Sequence, residues 1–329
     1  MVNIEDLLEQ AKNLQLKDKH VQAIPIFTEA IAIMDTQDPK NAGIFNDRGF
    51  SYVMSGKPEE AYTDNKVVLA LTDAPENEKA RALIDMSYIE RTSFDDLEKS
   101  RKSLESALNI ETQPSSLRGK ALDFLARTYV WNKDSAKAIP LCKEAIQIYD
   151  KLAQDDPIDF QLKRRKADVG LILGTTYVEN EMDASAEELI PKVLAEYKEI
   201  DDFRGKCNIY NLQGKIALKC EQADEAAKYF QQALSILDDN EPGHQDYVTS
   251  SSLGLSEAFL ILKDNQQASQ HLERLRDGII PDYHQSGTKK KLFGDNGVNV
   301  HNDSLQNIRR LYQETELTIP GMDKIFEKI

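Results

Sequence analysis

Catalysis needs side chains that converge, so the first residues to weigh are the nucleophiles, the imidazoles and the glycines that could cradle phosphate. The chain holds three cysteines (Cys142, Cys207, Cys220) and five scattered histidines (His20, His244, His271, His284, His301). No His-Glu-x-x-His occurs, the spacing that sets two metal-binding imidazoles on one helical face. No Gly-rich loop ends in Gly-Lys-Ser/Thr, so a nucleotide cradle of that kind is excluded. Gly170 and Gly174 fall inside a predicted helix, where close helix packing explains them better than a cofactor. Cys142 and Cys207 fall on predicted helices as buried, inert thiols. One stretch, GDNGVNVHND, alternates Asp295, Gly297, Asn299, His301 and Asp303 in the manner of a calcium loop. It fails on detail, because Val300 stands at the turn glycine's place and Gln306 at that of the bidentate Glu. A Gly/Asn-rich turn is expected there instead. No catalytic residue, metal or cofactor is therefore expected, and the protein is read as not an enzyme.

The bulk properties narrow the partners. Of 329 residues, 41 are Lys or Arg and 56 Asp or Glu, for a formal charge of -15. An acidic chain is ill suited to nucleic acid or to an anionic membrane, both of which reward basic surface. With 40% hydrophobic residues the chain can build a core, and its mean hydropathy of -0.53 is that of a soluble protein. Three cysteines are too few for a disulfide scaffold. No apolar run is long enough to span a membrane, and MVNIEDLLEQAK lacks the basic flank and apolar block of a leader. A cytoplasmic location is the expectation.

What elements, then, position these residues? Self-similarity answers. AIPIFTEAIAIMD from Ala23 is echoed by AIPLCKEAIQIYD from Ala138, and NDRGFSYVMSGKPEEA by NLQGKIALKCEQADEA. Registered on these segments, the chain shows seven small residues: Ala11, Gly49, Ser87, Ala126, Gly174, Gly214 and Ser256. Each precedes a second small residue (Ala23, Ala61, Ser100, Ala138, Ala186, Ala226, Ala268), 12 residues on in six cases and 13 in the third. Small residues are required where two helices cross closely, since the side chains at the contact set the interaxial distance. Larger apolar residues flank them at helical spacing, such as Leu122, Leu125 and Tyr129, then Ile139, Ala145 and Ile146. Gly56-Lys57-Pro58 stops one helix and starts the next. Pro25 and Pro140 lie deeper in their second helices, where a lost hydrogen bond or small kink is expected. The pattern predicts seven antiparallel helix pairs.

A large apolar residue, a small one, Tyr, then Ala–aromatic–Ala resembles the tetratricopeptide repeat. It stands as Phe45, Gly49, Tyr52, Ala61 in the second unit and as Leu122, Ala126, Tyr129, Ala138, Ala145 in the fourth. It recurs as Tyr210, Gly214, Ala226, Phe230, Ala233 in the sixth, and the likeness covers roughly residues 1–280. One departure is the period. That repeat is about 34 residues long, whereas the small residues here recur after 38, 38, 39, 48, 40 and 42. The longest interval passes through Asp155-Asp156-Pro157, read as a long helix, a turn and another long helix. Longer helices of this kind are similar in length to repeats of bacterial peptide-sensing regulators and kinesin light chains. The resemblance implies an all-α, right-handed superhelical solenoid over 1–280. Residues 281–329, with four of the 15 glycines and seven basic against seven acidic residues, depart from the repeat. They are read as a loop from Pro281 to about Asn302, a helix through SLQNIRRLYQETE and a short helix after Pro320-Gly321, together a cap.

In proteins of this resemblance the first helices line a concave groove for a peptide or a partner's helix. Its positions are one after and three before each small residue. They fall on Leu8 and Lys12, Asn46 and Phe50, Ile84 and Tyr88, Asp123 and Arg127, Leu171 and Thr175, Asn211 and Lys215, and Leu253 and Glu257. Amides there could bond a peptide backbone, and Phe50 or Tyr88 could contact side chains. A carboxylate clamp of the co-chaperone kind is absent, its places holding Leu8, Lys12 and Asp47. The expected function is a non-catalytic scaffold for a protein or peptide of neutral to basic charge, the alternative a peptide-gated regulator like the bacterial receptors.

Overall fold

The computed structural model describes residues 3–156, 158–237, 244–286, 298–315 and 317–323. The chain divides into two compact units, Met1–Thr176 and Tyr177–Ile329. Among the described residues every regular element is helical.

In the first unit, α1 (Ile4–Leu16) packs with α2 (His20–Ile33), α3 (Ala42–Met54) with α4 (Pro58–Ala70), α5 (Glu76–Thr92) with α6 (Leu97–Ile110), and α7 (Ser116–Trp131) with α8 (Ala138–Asp155). Second helices also pack on the next first helix: α2 on α3, α4 on α5 and α6 on α7. Starts are marked chemically. Asn3 caps α1 through Glu5 N–H, Asp96 caps α6 through Lys99 N–H, and Ser115 caps α7 through Arg118 N–H. Pro58 occupies the first turn of α4, where a missing N–H costs nothing. Pro140 likewise falls in the first turn of α8, whereas Pro25 lies well inside α2. After α8 the turn at Asp156 leads into α9 (Phe160–Glu179), so both long helices of the longest repeat are present.

The second unit holds α10 (Asp183–Glu199), α11 (Phe203–Lys219) paired with α12 (Ala223–Ser235), α13 (Gln245–Ile261) paired with α14 (Asn265–Ser286), and α15 (Val298–Gln313) packed on α13. The expected loop from Pro281 to Asn302 is corrected at both ends: α14 runs on to Ser286 and α15 begins at Val298. Gly278 and Pro281 therefore lie inside a helix. Their penalties, about 1 kcal/mol for Gly and about 3 for Pro, are outweighed by continuing the helix. Asn299, His301 and Asp303 likewise sit on helical backbone, which a calcium loop cannot use, while Asp295 and Gly297 lie outside the described residues. Beyond α15, Ile308, Tyr312, Ile319 and Met322 join Phe259, Leu272 and Leu275 in one buried cluster. The C-terminal segment thus covers the apolar end of the last pair.

All fourteen small residues of the two repeat positions are buried, as close helix crossing demands. At Gly214 there is no room for more: a Cβ there would stand 2.6 Å from the Phe230 ring, and one on Gly254, two residues before Ser256, 2.3 Å from it. The hairpin turns are equally regular. Asp18, Gly56, Lys133, Glu181, Glu221 and Lys263, each seven residues after its small residue, all have positive φ. In each of these turns the following N–H donates to the carbonyl five residues back, as from Lys19 to Leu14 and from Asp264 to Phe259. The third pair puts the left-handed residue one place later, at Asp95, and its bond runs from Asp96 N–H to Glu90. That extra turn residue is the thirteenth in the third spacing.

Candidate binding faces

In the first unit the first helices are tied to one another by polar side chains. Gln15 on α1 donates to the Asp47 carbonyl (2.7 Å) and to Ser51 Oγ (2.8 Å) on α3. Asp47 accepts Lys12 from α1 at 3.7 Å and Arg81 from α5 at 2.8 Å, one carboxylate bridging three helices. Asn46 donates to the Glu78 carbonyl (3.0 Å) and carboxylate (2.7 Å). Lys120 on α7 reaches back to Asp85 on α5 at 2.9 Å, and Arg127 Nε donates to Asp123 at 2.8 Å within α7. Burial alone would lower the Arg81 pKa, but Asp47, Asp85 and Glu78 more than reverse this and hold it above its usual value. The result is a stripe of alternating charge across α1, α3, α5 and α7.

The expected groove residues fall on this face unevenly. Lys12 is open to solvent, its side chain 60% exposed, and Phe50 is 40% exposed with its ring edge-on to His20 at 5.3 Å. Asn46 is fully buried: its N–H groups are spent on Glu78, and Oδ1 accepts no hydrogen bond. Ile84 lies in the core with Leu104 and Leu125, so it is not a surface position at all. Tyr88 is half-buried beside Phe124, and the Arg91 guanidinium stacks over both rings and over Trp131 at 4.6 Å. Asp123 and Arg127 engage each other, and Thr175 Oγ1 donates to the Leu171 carbonyl of its own helix. Leu8 is half-buried.

In the second unit Asn211 is buried, accepting from Ser251 Oγ at 2.9 Å and lying 3.7 Å from Cys207 Sγ. Leu253 is core. Lys215 is half-buried; burial brings its pKa down to about 8, against the opposing pull of Glu257 and Glu179. Glu257 accepts from Asn307 of α15 at 3.2 Å, and burial raises its pKa despite Asn307, Lys215 and Arg310. Burial pushes the thiols of Cys142 and Cys207 up to about 12, which makes these two poor nucleophiles, while Cys220 at the end of α11 is exposed. Among the described residues no group of three or more His, Cys, Asp or Glu is placed to hold a metal, and no helix is long and apolar enough to cross a membrane.

Residues two and six before the small one, Asp47 and Asp85, Arg81 and Lys120, carry the inter-helix ion pairs and escape the groove rule. Their signal was present in sequence: Arg81 and Asp85 stand one helical turn apart, in register with Asp47 before them and Lys120 after.

No family model and no curated protein matches the sequence. Solved structures do match in fold. A tetratricopeptide repeat protein from Parabacteroides merdae is 14% identical with a TM-score of 0.54, over 93% of this chain and 98% of that one. The apo form of RapI is 12% identical with a TM-score of 0.62, over 93% and 86%. The pilF of Pseudomonas aeruginosa is 15% identical with a TM-score of 0.51, over 75% and 95%. Small residues in phase, paired helices in each unit and these matches together show the tetratricopeptide-repeat fold, all-α and built of helical hairpins.

Proposed function

We propose that the protein is a non-catalytic scaffold that binds a protein or peptide on the exposed face of its first helices, with 1–280 as the binding region and 281–329 as its cap. The observation that carries this is the polar face of α1, α3, α5 and α7, joined by Lys12–Asp47–Arg81 and Asp85–Lys120 and flanked by exposed Phe50. A pre-formed surface of this kind needs no cofactor. The reading places the protein in the cytoplasm, which suits three free cysteines. On the stripe Lys12, Arg81, Lys120 and Arg127 are matched by Asp47, Glu78, Asp85 and Asp123, four of each sign. Glu5 and Glu9 of α1 stand in the same register and are exposed, so the face carries a slight acidic excess beyond these pairs, which favours a neutral to basic partner.

The test is capture of partners by the full chain, followed by peptide-array mapping. Lys12→Ala changes an exposed side chain and is expected to weaken binding without moving the melting temperature; Phe50→Ala should weaken binding too, with a small loss of stability from the His20 contact. Asn211→Ala is a poor probe, because it would strand Ser251 in the core. Binding unaffected by Lys12→Ala, Phe50→Ala and Arg127→Ala together would remove the face from consideration. A change of overall dimensions by small-angle scattering on peptide binding would point to gated regulation in place of passive scaffolding.

A further inference from the structure

The charged stripe of the first unit poses a question that scaffolding alone leaves open. Ion pairs with partly exposed members contribute only about 0–1 kcal/mol each to stability. Here Arg81 is 30% exposed and Lys120 21%, and the pairs recur at every junction from α1 to α7. Each links one first helix to the next, so signs alternate along the array: Lys12 on α1, Asp47 on α3, Arg81 and then Asp85 on α5, Lys120 on α7.

Resting on the proposed binding face, we infer that its partner is a mixed-charge segment, near neutral to slightly basic overall, whose acidic and basic residues alternate along the stripe. Opposite charges in contact cancel each other's field within a few ångströms, so a uniformly charged peptide meets as much repulsion as attraction. A basic peptide would gain at Asp47 and Asp85 and lose at Lys12, Arg81 and Lys120. Only a peptide with signs in register gains at each step, and such matching gives specificity more than bulk attraction. The internal pairs need not break. A carboxylate offers about four acceptor positions, an ammonium three donors and a guanidinium five, so each can hold its neighbour and a ligand group together.

The experiment is selection from a random-sequence peptide display library on the full chain, followed by affinity measurement of the selected peptides on three variants. One is Lys12→Glu. The second is the exchange Asp85→Lys with Lys120→Asp, which keeps an internal ion pair while reversing the order of signs. The third, Phe50→Ala, reports on the face without touching the charges. Selected peptides should carry both signs and little net charge. Their affinity should fall by about tenfold in the exchange variant, measured at a temperature where circular dichroism shows that variant fully folded. A role in stability alone would leave affinity unmoved in that variant. Selected peptides of one sign, weakened by Phe50→Ala, would overturn the mixed-charge partner and leave the binding face standing. Peptides indifferent to all three variants, or no selection at all, would overturn the face and this inference with it.

Discussion

His271 lies half-buried on α14, stacked on Phe259 at 5.8 Å, and its Nδ1 has no hydrogen-bond partner. Burial, with Arg274 nearby, holds its pKa down at about 4. The folded state therefore binds fewer protons than the unfolded one between the ordinary histidine value and about 4. Stability contributed by the neutral ring is present above that window and lost as pH falls through it. His271→Phe should flatten the acid limb of melting temperature against pH over this range; an unchanged limb would assign the loss to other groups. Glu257 acts in the opposite sense. Its raised pKa makes the folded state bind more protons as pH passes from the ordinary carboxylate value upward, so its contribution falls as pH rises there.

The turns and crossings set the limits of each helix. Six left-handed turn positions keep one register, yet only Gly56 is a glycine; the others are Asp18, Lys133, Glu181, Glu221 and Lys263. A Cβ in that conformation costs about 1–2 kcal/mol, so Lys133→Gly and Glu221→Gly should each stabilise the chain by about 0.5–1 kcal/mol in urea denaturation. Gly56→Ala should do the reverse. At the crossings the sign is set by space. Gly214→Ala drives a methyl into the Phe230 ring and should cost about 1–3 kcal/mol. Phe230→Leu in the same chain should recover part of that loss, a coupling that a double-mutant cycle measures directly.

Within each unit helix pairs rest on their neighbours, so damage should spread locally. Ile308 and Tyr312 of α15 belong to the buried cluster with Phe259 and Leu272. Ile308→Ala should cost about 2–5 kcal/mol, and hydrogen exchange should quicken in α13, α14 and α15. Amides of α1 to α4 should keep their protection; uniform loss along the chain would contradict a nearest-neighbour array. The pairing of charge along the stripe belongs to this scale too. The formal charge of -15 alone suggested a ligand of neutral to basic character, but a sum over residues says nothing about where they sit.

Helix pairing was legible in sequence because a crossing tolerates only small side chains, and fourteen of them kept phase over seven units. The third unit's extra residue could be counted, though its place in the turn at Asp95 could not. Left-handed turns were missed because the same geometry is imposed on Asp, Lys and Glu by the flanking helices, not by the residue. Among the groove positions, Lys12 and Phe50 lie exposed, whereas Ile84 and Leu253 lie in the core and Asn46 and Asn211 in internal hydrogen bonds. Position along one helix says which way a side chain points; whether a neighbouring helix covers it, or supplies its partner, depends on atoms some thirty to forty residues away. Periodicity in the chain therefore determined the fold, and only packing between repeats decided which polar groups remain open to a partner.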